Sequence, residues 1–342
     1  MCKSRQRIHV KCRYAICFCM LLTIMCVLLS GCGKDKDSMA GREGTGYDVV
    51  DYQGTKVHIP EKPKRIMSFM TGTDEILLGL VETDRMVAIN REFADPSRSN
   101  VYDLAQKIPH VIERNPPVER IISLQPDLII VHAWISEEKI QTLRDFKIPV
   151  VVVKSPKSLK EIHSTIRLIA AAIGEPERGE RLIAKMTDEL AKLKERIDAV
   201  PKEKRGKRIA FISVMAGYGG KGSIFDDYCE FADAKNAKAM AGIKEGQVMA
   251  KEQLLEMNPD VLMFPSYHSP SSPEERYGAE YRSDPSLQSL TAVKENRVLE
   301  PWAHYVYNIS QNFVFGVQEM AYVLYGEEFA QPTTRHLSVV EE

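Results

Sequence analysis

The longest amphipathic pattern in the chain lies at residues 176–200. Charged residues separate its apolar positions, which are Leu182, Ile183, Met186, Leu190, Leu193 and Ile197. Steps of three and four residues are typical of a helix that buries one narrow face. Pro176 suits the first helical turn, and Pro201 ends the helix. With a rise of about 1.5 Å per residue, the helix would span roughly 35 Å, enough to cross a domain.

Short apolar runs alternate with helical patterns on both sides of this helix. The runs lie at residues 66–69, 86–89, 128–131 and 150–153 before it, and at 209–214, 261–264 and 298–300 after it. Helical patterns lie at residues 74–80, 118–124, 136–146, 158–172 and 313–325. Buried strands that alternate with helices predict parallel sheets covered on both faces. Residues 47–60 alternate around Gln53-Gly54 and predict a β-hairpin.

The sequence before the long helix is repeated after it. The matching positions are Arg65 with Arg208, Glu119 with Glu252, and Pro126-Asp127 with Pro259-Asp260. A repeat of this size indicates a duplicated domain rather than a solenoid. We therefore predict an α/β fold with two Rossmann-like parallel-sheet lobes joined by one long connecting helix. The expected parts are an N-terminal lobe at 47–174, the helix at 175–200, a C-terminal lobe at 201–329 and a loose tail at 330–342.

The first 46 residues form a separate region. Five basic residues precede an uncharged run of 16 residues at 14–29. This run is short for a transmembrane helix and typical of a signal peptide at 1–31. It ends in Leu29-Ser30-Gly31-Cys32, which resembles a bacterial lipobox and predicts lipidation of Cys32. Residues 32–46 are small or charged and predict a flexible tether.

Composition limits the remaining possibilities. Apolar residues make up 44% and charged residues 27% of the chain, as in ordinary globular proteins. Without the basic signal peptide the net charge is −6, which gives no reason to expect a nucleic-acid partner. Beyond Cys32, Cys229 is the last remaining cysteine, so a disulfide within the mature chain or a cysteine metal cluster is excluded.

These residues resemble a known family when they are taken in order. The hairpin ending in Pro60, the Thr73–Gly79 segment, both Glu…Pro-Asp units and the spanning helix are similar to substrate-binding lipoproteins of ABC importers for iron–siderophore complexes, haem and cobalamin. The resemblance covers residues 47–328. It implies class III periplasmic binding protein architecture, with a ligand held between two lobes and delivered to a membrane permease and its ATPase. It also implies a monomer anchored outside the cytoplasm, on the periplasmic or outer surface.

The resemblance also assigns a role to the repeated acids. Glu119 and Glu252 match positions at which a carboxylate on each lobe docks onto arginines of the two permease subunits. Each acid also lies at a predicted helix start, where the helix dipole favours a carboxylate, so simple capping is the alternative. Glu75 is interpreted as ordinary chemistry of a helix N-terminus.

The expected ligand site is the carboxyl edge of both sheets, because ligands of open parallel sheets bind there. The candidate ligand-binding residues follow the predicted strands and are Met70, Thr71, Arg91, Trp134, Lys154, Met215, Tyr218, Tyr267, His268, Trp302, His304 and Tyr305. Trp134 and Trp302 are expected to face each other across the cleft. Aromatic and histidine residues suit a large, flat ligand, and Arg91 and Lys154 suit anionic groups on it.

The sequence leaves the ligand open. A ferric siderophore is favoured, with haem, cobalamin, an oxyanion or a metal ion as alternatives. No intrinsic cofactor or metal is expected. His268 and His304 could ligate a metal directly, and Tyr218 a haem iron, although no spacing of metal ligands supports this.

Two enzyme hypotheses compete with a binding protein. Gly217-Tyr218-Gly219-Gly220-Lys221-Gly222 matches the dinucleotide fingerprint, but it lies in the middle of the chain and lacks the acidic residue at a following strand end. It is therefore interpreted as a glycine-rich wall of the cleft. A membrane-anchored chelatase or reductase that acts on a metal tetrapyrrole, with His268 or His304 as acid–base group, is the other alternative. Ligand binding is expected to change the angle between the lobes only slightly, because one long helix resists hinge closure.

Overall fold

The computed structural model describes residues 46–268 and 273–340, and Gly46–Glu342 forms one compact unit. The predicted signal peptide, the lipidation site Cys32 and the tether lie outside the described residues. Within the described part, none of the helices combines the length and the apolar character needed to cross a lipid bilayer.

The N-terminal lobe begins with an antiparallel hairpin and continues as a parallel α/β unit. Its strands are β1 (Tyr47–Val50), β2 (Lys56–Ile59), β3 (Ile66–Ser68), β4 (Ile89–Asn90), β5 (Val111–Ile112), β6 (Leu128–His132) and β7 (Val150–Val153). Its helices are α1 (Thr71–Leu80), α2 (Tyr102–Ala105), α3 (Val118–Ser123), α4 (Glu137–Asp145) and α5 (Leu159–Ala172). The order of the main sheet is β3-β6-β7, and a bridge from Ile66 to Met86 extends it towards the parallel pair β4 and β5.

The connecting helix is α6 (Pro176–Asp198), and the C-terminal lobe repeats the parallel arrangement. Its strands are β8 (Arg208–Phe211), β9 (Lys235–Asn236), β10 (Val261–Met263) and β11 (Val298–Leu299), in the order β11-β10-β8-β9. Its helices are α7 (Ile224–Phe231), α8 (Ala237–Met240), α9 (Lys251–Met257), α10 (Pro273–Ser283), α11 (Thr291–Lys294), α12 (Ala303–Val306) and α13 (Phe313–Tyr325). The predicted α/β fold with two parallel sheets is confirmed.

One hydrophobic cluster extends through both lobes. All six predicted apolar positions of α6 are buried in it, together with residues such as Ile130 in the first sheet and Phe211 in the second. The opposite face of each sheet has its own smaller cluster. The connecting helix is therefore wedged between the lobes as shared core, which adds apolar contacts to the covalent link.

The repeated Arg and Pro-Asp positions have the same structural role in each lobe. Asp127 accepts hydrogen bonds from the backbone N–H groups of Lys64 and Arg65, at 2.8 and 2.9 Å. Asp260 accepts from the N–H of Arg208 at 2.8 Å, and its other oxygen accepts from the guanidinium at 2.8 Å. Both arginines also donate to a carbonyl at the end of the helix before the Pro-Asp unit, α3 in the first lobe and α9 in the second. In each lobe, the repeated residues therefore tie the start of one strand to the start of the adjacent strand, β3 to β6 and β8 to β10.

The tail differs from the loose segment that the sequence predicted. Leu337 is 5% exposed, and the N–H of Val339 donates to the carbonyl of Gly79 in α1 at 3.0 Å. The expectation failed because the few apolar residues of the tail show no periodicity in the sequence. They are nevertheless packed against α1 and its surroundings.

Candidate ligand-binding cleft

A cleft of about 680 Å³ opens at the carboxyl ends of the strands of both sheets. The N-terminal lobe contributes loops that follow β3, β4, β5 and β7, and the C-terminal lobe contributes loops that follow β8, β10 and β11. The volume is within the range of pockets that hold small molecules and cofactors.

Seven of the twelve predicted ligand-binding residues line this cleft. They are Met70, Thr71 and Arg91 from the N-terminal lobe, and Met215, Tyr218, Tyr267 and His304 from the C-terminal lobe. These seven residues follow the strand ends at which ligands of parallel sheets bind, and their role in ligand binding stays a prediction. The other five residues also lie beyond strand ends but outside the lining of the described cleft.

Trp134 and Lys154 lie apart from the cleft lining. The Trp134 ring is 43% exposed and is stacked by the guanidinium of Arg114, with Cζ 5.1 Å from the ring centroid. Lys154 forms an ion pair with Glu161 and lies over the ring of Tyr52. Both side chains are therefore engaged by neighbours in their own lobe.

The remaining three residues, Trp302, Tyr305 and His268, also lie outside the cleft lining. Trp302 is 5% exposed and packs edge-to-face against Tyr305, while its indole N–H donates to the carbonyl of Ser97 across the lobes at 3.4 Å. Tyr305 is fully buried, and His268 is an exposed residue at a positive φ of 52°. The expected facing pair of tryptophans is therefore wrong, because Trp302 is packed into the seam between the lobes.

The sequence interpretation of Glu75 is also wrong. Its carboxylate is 1% exposed and accepts hydrogen bonds from His304 Nε2 at 2.8 Å, Asn308 Nδ2 at 2.5 Å and Ser310 Oγ at 2.5 Å. All three donors belong to the C-terminal lobe, whereas Glu75 lies in α1. This cluster forms the floor of the cleft and joins the lobes through one buried carboxylate.

The hydrogen bonds of this cluster stabilise the ionised carboxylate of Glu75. Burial would raise the pKa of Glu75, but hydrogen bonds from His304 and Ser310, with the charges of His304 and His336, outweigh burial and hold the pKa below its ordinary value. In the sequence, Glu75 looks like an ordinary acidic residue near the start of a helix. The signal that could have revealed its role is the polar run Asn308–Asn312 in an otherwise apolar region.

Asp74, the neighbour of Glu75, is a second buried acid of a different kind. One carboxylate oxygen contacts Ser68 Oγ, and the other accepts from the N–H of Asn90 at 2.8 Å. Burial raises the pKa of Asp74 to about 7, and the charge of Glu75 adds to this. Asp74 therefore holds the cleft residue Asn90 in place from below.

The backbone N–H groups of the glycine-rich loop already donate to acidic side chains of the protein. The N–H groups of Gly219 and Gly220 donate to the carboxylate of Glu245 at 2.9 and 3.2 Å, and the N–H of Gly222 donates to Asp226 at 2.6 Å. A dinucleotide pyrophosphate would need these donors. The loop instead forms part of the cleft wall through Tyr218.

The charges of the cleft are distributed unequally. Its four cations, Arg91, Arg98, Arg114 and Lys157, all come from the N-terminal lobe. Arg98 pairs with Glu92 at 2.7 Å, but the other three form no ion pair within the described part of the chain. The lining also includes five acids. Glu75 and Glu245 are used internally, as described above, and Glu92 is the partner of Arg98. The other two lining acids are Glu113 and Glu274. The N-terminal wall therefore presents three cations that form no ion pair among the described residues, with Glu113 next to Arg114 in the same loop.

Tyrosines line the opposite wall. Tyr218 and Tyr307 pack edge-to-face with centroids 5.3 Å apart, and Arg98 lies 4.2 Å above the ring of Tyr267. The Tyr307 hydroxyl shares a 2.8 Å hydrogen bond with Ser213. The Tyr218 hydroxyl is buried and lacks a partner among the described residues. Burial raises the pKa of Tyr218, so the group is a neutral phenol.

The two candidate docking acids lie on the surface. Glu119 is exposed in the first turn of α3, and Glu252 is exposed in the first turn of α9. Their helices occupy equivalent places in the two lobes, before β6 and β10. Within the described residues, no group of histidine, cysteine and acidic side chains could hold a metal ion.

A cleft between two parallel-sheet lobes joined by a long helix defines a two-lobe ligand-binding protein. A family model described as periplasmic binding protein matches residues 66–301. The chain therefore belongs to the periplasmic binding protein family.

Individual relatives agree with this assignment. The chain is 27% identical over 323 residues to the Uncharacterized ABC transporter substrate-binding lipoprotein YvrC of Bacillus subtilis (strain 168), covering 91% of this chain and 97% of the relative. It is 24% identical to the Probable siderophore-binding lipoprotein YfiY of the same organism, covering 90% and 94%. The periplasmic heme-binding protein RhuT from Roseiflexus sp. RS-1 shares the fold, with a TM-score of 0.64, 23% identity and coverage of 78% and 99%.

The raised pKa of Asp74 predicts a specific dependence of stability on pH. The folded carboxyl stays protonated up to about pH 7, whereas the unfolded one ionises near about 3.9. The folded state thus binds more protons in this window, so this group's contribution is complete below the unfolded pKa and is lost as pH rises through 7. We expect Asp74→Asn to remove this loss, which is measured by urea unfolding between pH 4 and 8.

The comparison uses the difference in unfolding free energy between wild type and Asp74→Asn at each pH. Asp188→Asn, an exposed change on α6, is the matched control and should give no such trend. A constant difference between wild type and Asp74→Asn across the range would show that Asp74 is ionised in the folded protein at every pH tested.

Proposed function

We propose that this chain is the extracytoplasmic substrate-binding lipoprotein of an ABC importer, and that it captures a ferric siderophore between its lobes and delivers it to the permease. The observation that carries the proposal is the cleft itself, with three unpaired cations on one wall and tyrosines on the other. Two Bacillus subtilis relatives, named as an ABC transporter substrate-binding lipoprotein and a probable siderophore-binding lipoprotein, support the transporter role and the class of ligand.

The charge pattern favours an anionic chelate over a neutral one. Arg91, Arg114 and Lys157 extend from three different loops, so they can contact separate anionic groups of one ligand. Charge-assisted hydrogen bonds of this kind are stronger than neutral ones. The tyrosines opposite offer ring faces to the organic part of the ligand. Siderophores that bind iron through catecholate or carboxylate groups have both features.

Haem is the second candidate, because one observation favours it. Tyr218 lines the cleft, and its buried hydroxyl lacks a partner among the described residues, so it could ligate an iron atom if its ring turned towards the cleft. The neighbour RhuT is named as a heme-binding protein. Cobalamin is a weaker candidate because it does not use the three cations.

Binding rather than catalysis is supported by the polar groups of the cleft. The Ser155 hydroxyl bonds to His132 Nδ1 at 3.1 Å, but the other ring nitrogen faces Thr73 Oγ1 at 3.0 Å instead of a carboxylate. Burial lowers the pKa of His132 to about 4, which makes it a poor general base. His304 is held by Glu75. Multiple turnover of a metal tetrapyrrole would favour the chelatase or reductase alternative.

The cellular arrangement is part of the proposal. Lipidation of Cys32 would anchor the monomer to the outer side of the cell membrane, with residues 32–46 as a tether. Glu119 and Glu252 would then each contact one permease subunit, and the ATPase would drive release into the membrane channel.

The cation wall predicts which ligand binds and how. Ferric catecholate, ferric citrate and ferric hydroxamate chelates, haem and cyanocobalamin are titrated into the protein, and tryptophan fluorescence is followed. An anionic ferric chelate should saturate at one to one and bind more weakly at high salt. Arg91→Ala, Arg114→Ala and Lys157→Ala should each cost about 1.5–3 kcal/mol, or roughly ten- to a hundredfold in affinity.

Arg181→Ala is the control, since Arg181 is exposed on α6 outside the cleft. It should leave the affinity unchanged. Saturation by haem with loss in Tyr218→Phe would replace the siderophore proposal with haem. Tight binding that is insensitive to all three cation variants would refute an anionic ligand.

The docking role predicts a separation of binding from transport. The double change Glu119→Ala with Glu252→Ala should leave chelate affinity as in wild type and abolish uptake of the radiolabelled ferric chelate by cells, because each permease subunit loses one ionic contact. Glu138→Ala with Glu256→Ala is the matched control, since both acids are exposed, Glu138 in α4 and Glu256 at the end of α9. Normal uptake by the Glu119/Glu252 variant would leave those acids as helix caps.

A further inference from the structure

The C-terminal segment 331–340, called the strap below, crosses from the C-terminal lobe to the N-terminal lobe behind the cleft. Its first half is held by the C-terminal lobe. The guanidinium of Arg335 stacks 4.2 Å above the ring of Phe315 and donates to Gln318 Oε1 at 2.8 Å. The hydroxyl of Tyr305 accepts from the N–H of Arg335 at 3.0 Å.

From the carbonyl of Arg335 onwards, the strap also contacts the N-terminal lobe and the connecting helix. Asn100 Nδ2 donates to the carbonyl of Arg335 at 3.0 Å, and the N–H of Val339 donates to the carbonyl of Gly79 at 3.0 Å. Lys185 of α6 donates to the carbonyl of Ser338 at 2.8 Å. The strap therefore contacts both lobes and the helix between them.

The strap also contacts the cleft floor from behind. Gln311 Nε2 donates to the backbone carbonyl of Glu75 at 2.7 Å and to that of Leu337 at 3.1 Å. Asn312 Oδ1 accepts from the N–H of Leu337 at 2.9 Å. These bonds link the strap to the segment that carries His304 and Asn308 into the cleft.

Gly79 marks the point where the strap crosses α1. A Cβ atom at this position would lie 2.7 Å from Gln311 Nε2, 3.0 Å from the Leu337 carbonyl oxygen and 3.1 Å from Leu182 Cδ2. Glycine inside a helix is normally unfavourable relative to alanine. Here the close approach of three elements requires it.

We propose that the strap is a positioning element that fixes the angle between the lobes and holds the floor of the cleft in its binding geometry. The strap then acts together with two other links between the lobes, α6 on one side and the Glu75 cluster in the floor. This role is independent of which ligand the cleft binds.

The test removes the strap from the full chain, solubilised in detergent, by ending translation after Ala330. No ligand is added, so the result does not depend on the identity of the cargo. Amide hydrogen exchange should become at least tenfold faster at residues 76–81 and 302–312 and stay unchanged in β6 and β7. A synthetic peptide of residues 331–342 added in trans should restore the slow exchange. Unchanged exchange at both segments would overturn the proposal.

A second variant decides the matter if the shortened chain unfolds. Gly79→Ala should make the same two segments exchange about fivefold faster and make Trp302 more accessible to iodide quenching in a Trp134→Phe background. Gly278→Ala is the matched control, since a Cβ there meets no atom closer than 3.7 Å. Exchange and quenching equal to wild type in Gly79→Ala, or equal effects of both glycine changes, would refute a positioning role.

Discussion

The carboxylate of Glu75 is the interaction on which the two-lobe arrangement depends. It carries its charge at 1% exposure, and its three side-chain donors come from the opposite lobe. A buried charge without such partners is strongly unfavourable, so separation of the lobes would either hydrate this group or leave it unpaired. The floor of the cleft therefore has one favourable geometry. The cluster accounts for lobes that share a core and close around one cavity.

This constraint explains how the cleft can use its remaining charges for a ligand. The internal acids Glu75 and Glu245 are already satisfied by protein donors, as is Asp260 at the strand start. Arg91, Arg114 and Lys157 remain available on the N-terminal wall, facing tyrosines on the other. Under the proposed function, the cations of one wall and the tyrosine rings of the other would contact the chelate together. The small lobe motion expected from the long helix stays a prediction.

The sequence was sufficient for features that depend on local pattern. The buried stripe of α6, the parallel sheets and the repeated Arg and Pro-Asp positions follow from periodicity and spacing, and the strand-end rule located seven cleft residues. It was insufficient where partners are distant in the chain. Glu75 lies 229 residues from His304, and Trp302 and Leu337 are buried by elements that no local pattern links to them. The two-residue strands β5 and β9 are too short to show any pattern.

The most direct test of the central claim measures the distance between the lobes. Spin labels at Glu138→Cys and Glu256→Cys, both exposed positions, are read by pulsed electron spin resonance in a chain that begins at Gly46 and retains the buried Cys229. A single narrow distance distribution is expected with Glu75 present. A broad distribution is expected with Glu75→Gln, because the glutamine amide group would face the hydrogen-bond donors of His304, Asn308 and Ser310. Distributions of equal width in the two proteins would contradict the claim that Glu75 sets the angle between the lobes.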